Sequence, residues 1–375
     1  LRKYIAKITI ITVICISILI IDCAFSPLDA SEQPEAVNGL LDLRDWDWEQ
    51  DGIITLDGKW EFYWQELLTP KDFPIRDLSV NKSFIPVPRT WNNYAVNAEA
   101  LSGEGYATYR LLVHTSDEQI IGLKIPRIFT SYNLWANGKL IASNGEVGKD
   151  SDHSTPQYLP KVKYIHPEAD TVELIVQVAN FYHRSGGILE SLSMGSGEQI
   201  NQLRSRNLAN ELFLFGSLFI IGAYHLCLFI FRSKDRSFLY FGIYTILIAL
   251  RTVLVGEIYF INLFPNFSWE LAHKIQTLAY YMGIPLIFMF LKSIYPKDIS
   301  KRFLVFVQAV GLSFSLLVLL TPAKFFTQFN SIYQIFTLLT IPYFIYFIFS
   351  ICRCHIRWHG ARSKTTGGIF TTGYR

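Results

Sequence analysis

From Leu208 to Phe231 the chain is almost uninterruptedly apolar, and the run stops abruptly at Arg232-Ser233-Lys234. A helix of that length crosses a hydrocarbon core of ~30 Å, because it satisfies every backbone amide internally where no water can. The run divides the chain in two. The residues before it read as a water-soluble, β-rich domain, and the residues after it read as membrane.

The two halves differ in charge as sharply as in polarity. Residues 31–207 carry 16 Lys and Arg against 24 Asp and Glu, a net −8, whereas residues 208–375 carry 15 against 5, a net +10. The acidic soluble half argues against nucleic acid as a partner, since recognition of polyphosphate needs a basic stripe. Of the five cysteines, Cys15 and Cys23 lie near the start, Cys227 in an apolar run, and Cys352 and Cys354 near the end. The soluble half has none, so its stability rests on its core, without disulfides or a cysteine metal site.

Arg2, Lys3 and Lys7 precede the apolar run Ile8 to Ile21, and a small and polar stretch runs from Asp22 to Ser31. That is the layout of a secretory signal over residues 1–30. Leu28-Asp29-Ala30 is an imperfect cleavage site because Leu28 is not small, so a cleaved signal and a retained anchor both fit. Ile21-Asp22 makes a poor lipoprotein signal before Cys23. Residues 31–39 read as a linker.

Residues 40–200 read as short strands separated by turn residues. Trp60, Phe62 and Trp64 alternate with Lys59, Glu61 and Gln65, which is period two and predicts a half-buried strand. Tyr109, Leu111 and Val113 alternate with Thr108, Arg110 and His114. Val172, Leu174, Val176 and Val178 alternate with Glu173 and Gln177. Asn137-Gly138 between two apolar runs supplies the positive φ angles of a tight hairpin. Many strands without a convincing helix between them indicate an all-β sandwich or jelly roll.

Gly58-Lys59-Trp60-Glu61-Phe62, Pro86-Val87-Pro88-Arg89-Thr90-Trp91, Gly105-Tyr106-Ala107-Thr108-Tyr109-Arg110, Trp135-Ala136-Asn137-Gly138-Lys139 and Val176-Gln177-Val178-Ala179-Asn180 succeed one another in a familiar order. In these segments the chain resembles the galactose-binding-like jelly roll that forms the sugar-binding domain of many glycoside hydrolases. The resemblance implies the fold over residues 40–200 and, through it, a small-molecule or carbohydrate ligand.

Five apolar runs, 210–231, 238–256, 271–291, 303–321 and 332–352, predict a helical bundle over residues 210–352 after a connector at 201–209. Arg232, Lys234 and Arg236 come after the first run, Lys292, Lys297, Lys301 and Arg302 after the third, and Arg353, Arg357, Arg362, Lys364 and Arg375 after the fifth. The intervening segments carry only Lys324. By the positive-inside rule the β domain is expected on the extracellular or periplasmic side of a bacterial cytoplasmic membrane, with a cytoplasmic tail at 353–375.

Leu250-Arg251 to Gly256, Phe264-Pro265 with Trp269, Lys274, and Phe290-Leu291-Lys292 to Tyr295-Pro296 are similar in order and spacing to bacterial seven-transmembrane receptors with diverse intracellular signalling modules. That resemblance implies a multi-pass membrane sensory receptor that relays ligand binding to a cytoplasmic output, and a homodimer, because many such outputs work in pairs. The chain departs from the pattern in having five apolar runs and no output module, so it reads as truncated. A membrane-anchored binding or assembly subunit without output is the alternative.

No catalytic residues, cofactor or metal are expected. There is no GxxxxGK[ST] loop, Gly195-Ser196-Gly197 lacks a third glycine, and neither HExxH nor a cysteine and histidine cluster occurs. Asp45, Asp47, Glu49 and Asp51 crowd into one loop, where a solvated turn explains them better than a catalytic pair. For ligand binding the candidates are Trp91, Arg110, Tyr132, Asn133, Asn180, Tyr182 and His183, aromatics and polar groups near strand ends of the kind that hold sugars. The plainer alternative has Trp91 packed beneath a loop, Arg110 paired with an acidic residue and Asn180 capping a turn. Within the membrane His225, Arg251, His273 and Lys274 stand out. A charge deep in hydrocarbon costs ~2.5–3.5 kcal/mol, so Arg251 needs a partner or cavity, with Glu257 near in sequence. His225, Arg251, Glu257 and Lys274 are therefore candidates for coupling through the bundle. Against that, Arg251 fixes helix packing and Lys274 snorkels. Pro285 and Pro342 are candidate kinks.

Overall fold

The computed structural model describes residues 33–367 apart from 79–80, 97–98, 117–118, 158 and 168, with side chains as far as Ser350. The expected signal or anchor at 1–30, the thiols of Cys352 and Cys354 and the side chains of the basic tail lie outside the described residues. In chain order the strands are β1 (Leu40–Leu43), β2 (Ile54–Thr55), β3 (Gly58–Trp64), β4 (Ser83–Val87), β5 (Arg89–Thr90), β6 (Ala95–Val96), β7 (Glu99–Ala100), β8 (Gly105–Thr115), β9 (Ile121–Ile125), β10 (Ser131–Ala136), β11 (Lys139–Asn144), β12 (Lys161–Ile165), β13 (Thr171–Asn180), β14 (Gly187–Ile188) and β15 (Ser193–Ser196).

One sheet runs β11-β10-β13-β8-β3-β4, with β1 lying parallel to the far half of β8. A second runs β12-β9-β15-β2. Leu111, Val113, Leu174 and Val176 from the larger sheet share one buried core with Ile121, Leu123, Ile125 and Met194 from the smaller, so the domain is a two-layer sandwich. The aromatic face of β3 sits in that core, with Phe62 edge-on to Tyr109 at 5.0 Å and Trp64 edge-on to Trp91 at 5.2 Å. The Asn137-Gly138 hairpin forms as expected, with φ of 47° and 78° joining β10 to β11.

Two features differ from the sequence reading. Alternation placed Glu61 and Gln177 on a solvated face, yet both are buried at 5% exposure. Residues 66–78 cover that face. The Leu68 amide donates to Thr108 Oγ1, Thr108 Oγ1 donates to Glu66 O, Gln177 Nε2 donates to Leu68 O, and Phe73 packs edge-on to Tyr63 at 5.6 Å. Periodicity reports which side chains share a face, not what a later loop lays over them. Within the stretch read as a linker, residues 36–39 are fastened to the sheet: Ala36 N donates to Asp57 O, Lys59 N to Ala36 O, and Gly39 N to Lys59 O. Gly58, at φ +116°, permits this approach, since a Cβ there would lie 2.3 Å from the Ala36 nitrogen.

The helices are α1 (Gly197–Phe231), α2 (Ser237–Leu254), α3 (Tyr259–Leu263), α4 (Trp269–Ile294), α5 (Lys301–Leu320), α6 (Ala323–Phe326) and α7 (Asn330–Gly367). Among the described residues five segments are long and apolar enough to cross a membrane: α1, α2, α4, α5 and Ala323–Ser350. Phe213, Ile220 and Phe231 on α1, Leu312 and Leu320 on α5, and Leu339 and Phe349 on α7 are exposed. Such a surface is a liability in water and costs nothing in lipid. The chain divides into two compact units. One runs to Asn210 and includes Gly256–Trp269, and the other takes Glu211–Val255 and the chain from Glu270.

Within the helical unit, association depends on small residues, because lipid tails solvate apolar side chains as well as a neighbouring helix does. A Cβ on Gly242 would lie 2.8 Å from the Leu226 side chain, and one on Gly311 would lie 2.2 Å from Pro285 Cγ. Tyr281 and Tyr333 pack at 4.4 Å between centroids, and Tyr281 donates to Asn330 Oδ1 at 2.6 Å. Gly311→Leu is therefore expected to separate α4 from α5 and cost ~1–3 kcal/mol of overpacking. Thermal unfolding in detergent should show a lowered Tm, whereas Gly216→Leu, where a Cβ meets nothing within 4 Å, should leave it unchanged.

Candidate functional site

Strand β15 passes into α1 without a linker. Ser196-Gly197-Glu198-Gln199 forms a capping box in which Gln199 N donates to Ser196 Oγ at 3.3 Å and Ser196 N donates to Gln199 Oε1 at 3.0 Å. Gly197 N donates to Ile120 O at 3.0 Å, so the first amides of the helix are satisfied from the sandwich. Gln199 Nε2 reaches the carbonyl of Trp48 and fastens the acidic loop of residues 45–51 to the same turn. Residues 201–209, read as a connector, are helical throughout.

Around this first turn lies a cleft of about 960 Å³, lined by Trp48, Tyr164 and His166 from the β domain and by Glu198, Gln199 and Gln202 from α1. Trp48 is 4% exposed, and its indole N–H has no acceptor among the described residues. A buried donor without a partner is uncommon and costs free energy.

A second tie lies further along α1. Lys124 Nζ on β9 donates to Glu257 Oε1, and Asn207 Nδ2 on α1 reaches the same oxygen at 3.3 Å. The Lys124 and Glu257 side chains are 15% and 8% exposed. Glu257 is flanked by Gly256 at φ +72° and Ile258 at φ +51°. A β-branched residue is strained in that region, and the strain is tolerated only where surrounding contacts impose it. The segment between α2 and α4 is thereby fastened to the sandwich through a buried ion pair.

Six of the seven sequence-derived ligand candidates fall into two groups, and Tyr132 stands apart in the sandwich core. Trp91, Asn180, Tyr182 and His183 meet in one loop cluster. Trp91 Nε1 and Asn180 Nδ2 both donate to Gly103 O, Asn180 Oδ1 accepts from His183 N, and Tyr182 OH donates to Ser151 O at 2.7 Å. Trp91 and Asn180 are fully buried, which keeps the Trp91 ring face from a sugar. His183 is 7% exposed, and its ring packs at a tilt against Phe129 with centroids 4.6 Å apart. Burial depresses its imidazole to about 4. Tyr132 is fully buried on β10, where desolvation raises its phenol above the ordinary range.

Arg110 and Asn133 belong to the covered sheet face. Asn133 Nδ2 donates to Gln177 Oε1 at 3.3 Å. Arg110 bonds Glu173 at 2.7 Å and Glu61 at 3.2 Å, and with Lys82 lines a second cleft of about 430 Å³. Burial works to raise the Glu61 carboxyl, but bonds from Lys82 and Tyr63 and the charge of Arg110 outweigh it, and the net shift is downward.

Of the helix candidates, His225 Nδ1 bonds Ile221 O at 2.8 Å and its ring meets Phe241 edge-on at 4.6 Å. Arg251 lies over the Tyr280 ring at 5.8 Å, and Lys274 pairs with Glu270 one turn away at 3.2 Å. Glu257 stands in the tie to Lys124. Sequence reasoning missed Trp48, Lys124, Glu198 and Gln199 as site residues. The Ser-x-x-Gln pattern before a long apolar helix was available as a signal for the last two, whereas nothing local marks Trp48 or Lys124.

A β sandwich whose last strand passes into the first of several membrane-length helices has the architecture of a multi-pass membrane protein. Residues 209–363 match the family model described as 7TM diverse intracellular signalling, which bears out the resemblance drawn from the helical segments. No curated protein matches the chain. Similar solved structures include a Faecalibacterium prausnitzii β-glucuronidase (16% identity, TM-score 0.29), an Eisenbergiella tayi GH2 β-galacturonidase (16%, 0.27) and a Ruminococcus gnavus β-glucuronidase (15%, 0.28). Each match covers 38% of this chain and 31%, 24% and 28% of the respective enzyme, under a third of its length.

His183, neutral when folded down to about 4 but only to ~6.5 when unfolded, contributes stability that is complete above the unfolded value. That contribution should be lost as pH falls from ~6.5 toward ~4, by up to ~3 kcal/mol, and His183→Gln should flatten this limb of the denaturation profile. Glu257→Ala should cost about 3 kcal/mol by stranding Lys124 and speed amide exchange across Gly256–Trp269. The exchanged pair Lys124→Glu with Glu257→Lys should recover most of the protection.

Proposed function

We propose that the chain is a sensory receptor of a bacterial cytoplasmic membrane, with its β sandwich outside, a small molecule or carbohydrate as ligand, and its signal carried by the helices to a cytoplasmic output. The observation that carries this reading is the passage of β15 into α1 through a satisfied capping box. A displacement of the small sheet therefore reaches α1 without a flexible joint to absorb it. The tie from Lys124 to Glu257 adds a second handle, on the segment joining α2 to α4. The cleft at the first turn of α1 is where a ligand would act on both the sandwich and the helix. The matched family and the five membrane-length segments support the class, and the alternation of basic segments supports the orientation. Homodimerisation is part of the proposal, because paired outputs would need it.

Orientation is tested with single cysteines in a background whose native cysteines are serine. In intact cells a membrane-impermeant maleimide should label Asn266→Cys and spare Ser233→Cys; the reverse pattern would overturn the orientation. Coupling is tested with the pair Leu226→Cys and Gly242→Cys, which face each other between α1 and α2. Their disulfide crosslinking rate should change several-fold when Gln199→Ala loosens the first turn of α1. Equal rates in the two backgrounds would reject transmission and favour a membrane-anchored binding subunit.

A further inference from the structure

Within the helical unit the cations gather at one end. Arg232, Lys234 and Arg236 lie in the turn from α1 to α2, and Lys297, Lys301 and Arg302 lie in the turn from α4 to α5 and at the start of α5. Phe241, one turn into α2, packs against Phe290, one turn before the end of α4, with ring centroids 4.9 Å apart. The two turns are therefore neighbours on the same end of the bundle. All six residues are exposed, and among the described residues none is paired with a carboxylate. The two acids of these turns do not offset them: Asp235 Oδ1 accepts from Ser237 Oγ at 2.7 Å at the start of α2, and Asp298 pairs with none of the six. At the opposite end, by contrast, Lys274 is paired with Glu270.

The turn from α4 to α5 is held from within, which leaves its cations outside. Lys292 Nζ donates to Pro296 O and Ile299 O, so this lysine is spent on the carbonyls of the turn itself. Ile299 is 1% exposed, Ser300 N donates to Tyr343 OH at 3.0 Å, and Phe303 stacks on Tyr343 at 3.6 Å. A partner that meets Lys297, Lys301 and Arg302 finds their backbone already ordered, and less conformational entropy is lost when it binds.

Position selects the partner. Arg232 directly follows α1, Arg236 directly precedes α2, and Lys301 and Arg302 open α5. The polar layer on each side of a hydrocarbon core is about 5–7 Å deep, and one helical turn rises about 5.4 Å. Cations within a turn of the apolar segments therefore lie at headgroup depth. A soluble acidic protein or a nucleic acid would have to displace headgroups to reach them, whereas a lipid phosphate is already there. A zwitterionic headgroup brings its own ammonium, which cancels most of the attraction; a headgroup of net negative charge does not. We propose that the paired turns form a binding surface for anionic phospholipid headgroups, centred on Lys297, Lys301 and Arg302. The inference requires that the helices cross a bilayer. It is independent of which side either end faces and of the proposed receptor function.

The test uses the full chain in phosphatidylcholine vesicles that carry, in both leaflets, a trace of spin-labelled phosphatidylglycerol or spin-labelled phosphatidylcholine. The motionally restricted fraction of the electron paramagnetic resonance spectrum gives the relative affinity of the protein for each. One cation at an anionic surface contributes about fivefold; averaged over all contacting lipids, phosphatidylglycerol should be favoured at least ~2-fold. Lys297→Gln with Lys301→Gln and Arg302→Gln should roughly halve that preference, and adding Arg232→Gln, Lys234→Gln and Arg236→Gln should abolish it. The charge-matched set Lys59→Gln, Lys71→Gln and Lys149→Gln, exposed on the β domain, should leave it intact. In the unmodified chain, salt of about 1 M, where the screening length is ~3 Å, should also remove it. Equal restriction of the two lipids by the unmodified chain overturns the proposal and favours a soluble acidic partner. A preference that survives all six substitutions or high salt, or that falls as far in the β-domain set, overturns it as well.

Discussion

A peptide group in hydrocarbon has no water to bond, and the second half of this chain is arranged around that fact. Each crossing segment must close its own hydrogen bonds, which makes it a helix and makes its ends the places where unsatisfied groups collect. At the start of α1 those groups are met by the β sandwich itself: Ser196 and Gln199 cap each other, and Ile120 takes the next amide. Satisfying the helix end and fastening α1 to the sandwich are thus one set of contacts.

The same economy explains where polar chemistry accumulates. Inside the sandwich, buried polar groups such as Asn180, Thr108 and Gln177 are occupied by backbone partners, and they hold loops in place. Arg110 is committed to Glu61 and Glu173. At the first turn of α1 the glutamines are likewise engaged, Gln199 with Ser196 N and Trp48 O and Gln202 with Glu198, while the buried Trp48 N–H has no acceptor among the described residues.

Much of the architecture was legible from residue order. Period-two alternation located β3, β8 and β13, Asn137-Gly138 located a hairpin, and the apolar runs located the helices, because each signal is local and reports on its own element. The candidate site was less legible. Trp91 and Asn180 carry side chains suited to sugars but are buried, since burial depends on strands and loops distant in sequence. Trp48 and Gln199 are 151 positions apart and meet only because the acidic loop folds against the end of β15.

The sequence by itself determined the two-part construction, the β character of the first part and the membrane character of the second, through composition and periodicity that no tertiary contact is needed to read. Only the tertiary structure decided that the covered face of the large sheet is buried beneath residues 66–78, and that Glu257 reaches Lys124 on β9 and Asn207 on α1. It alone placed a cleft against the first turn of α1. These are contacts between residues far apart in the chain, made when loops close over faces that the local pattern leaves open, and their energies depend on desolvation and partner geometry that residue order does not encode.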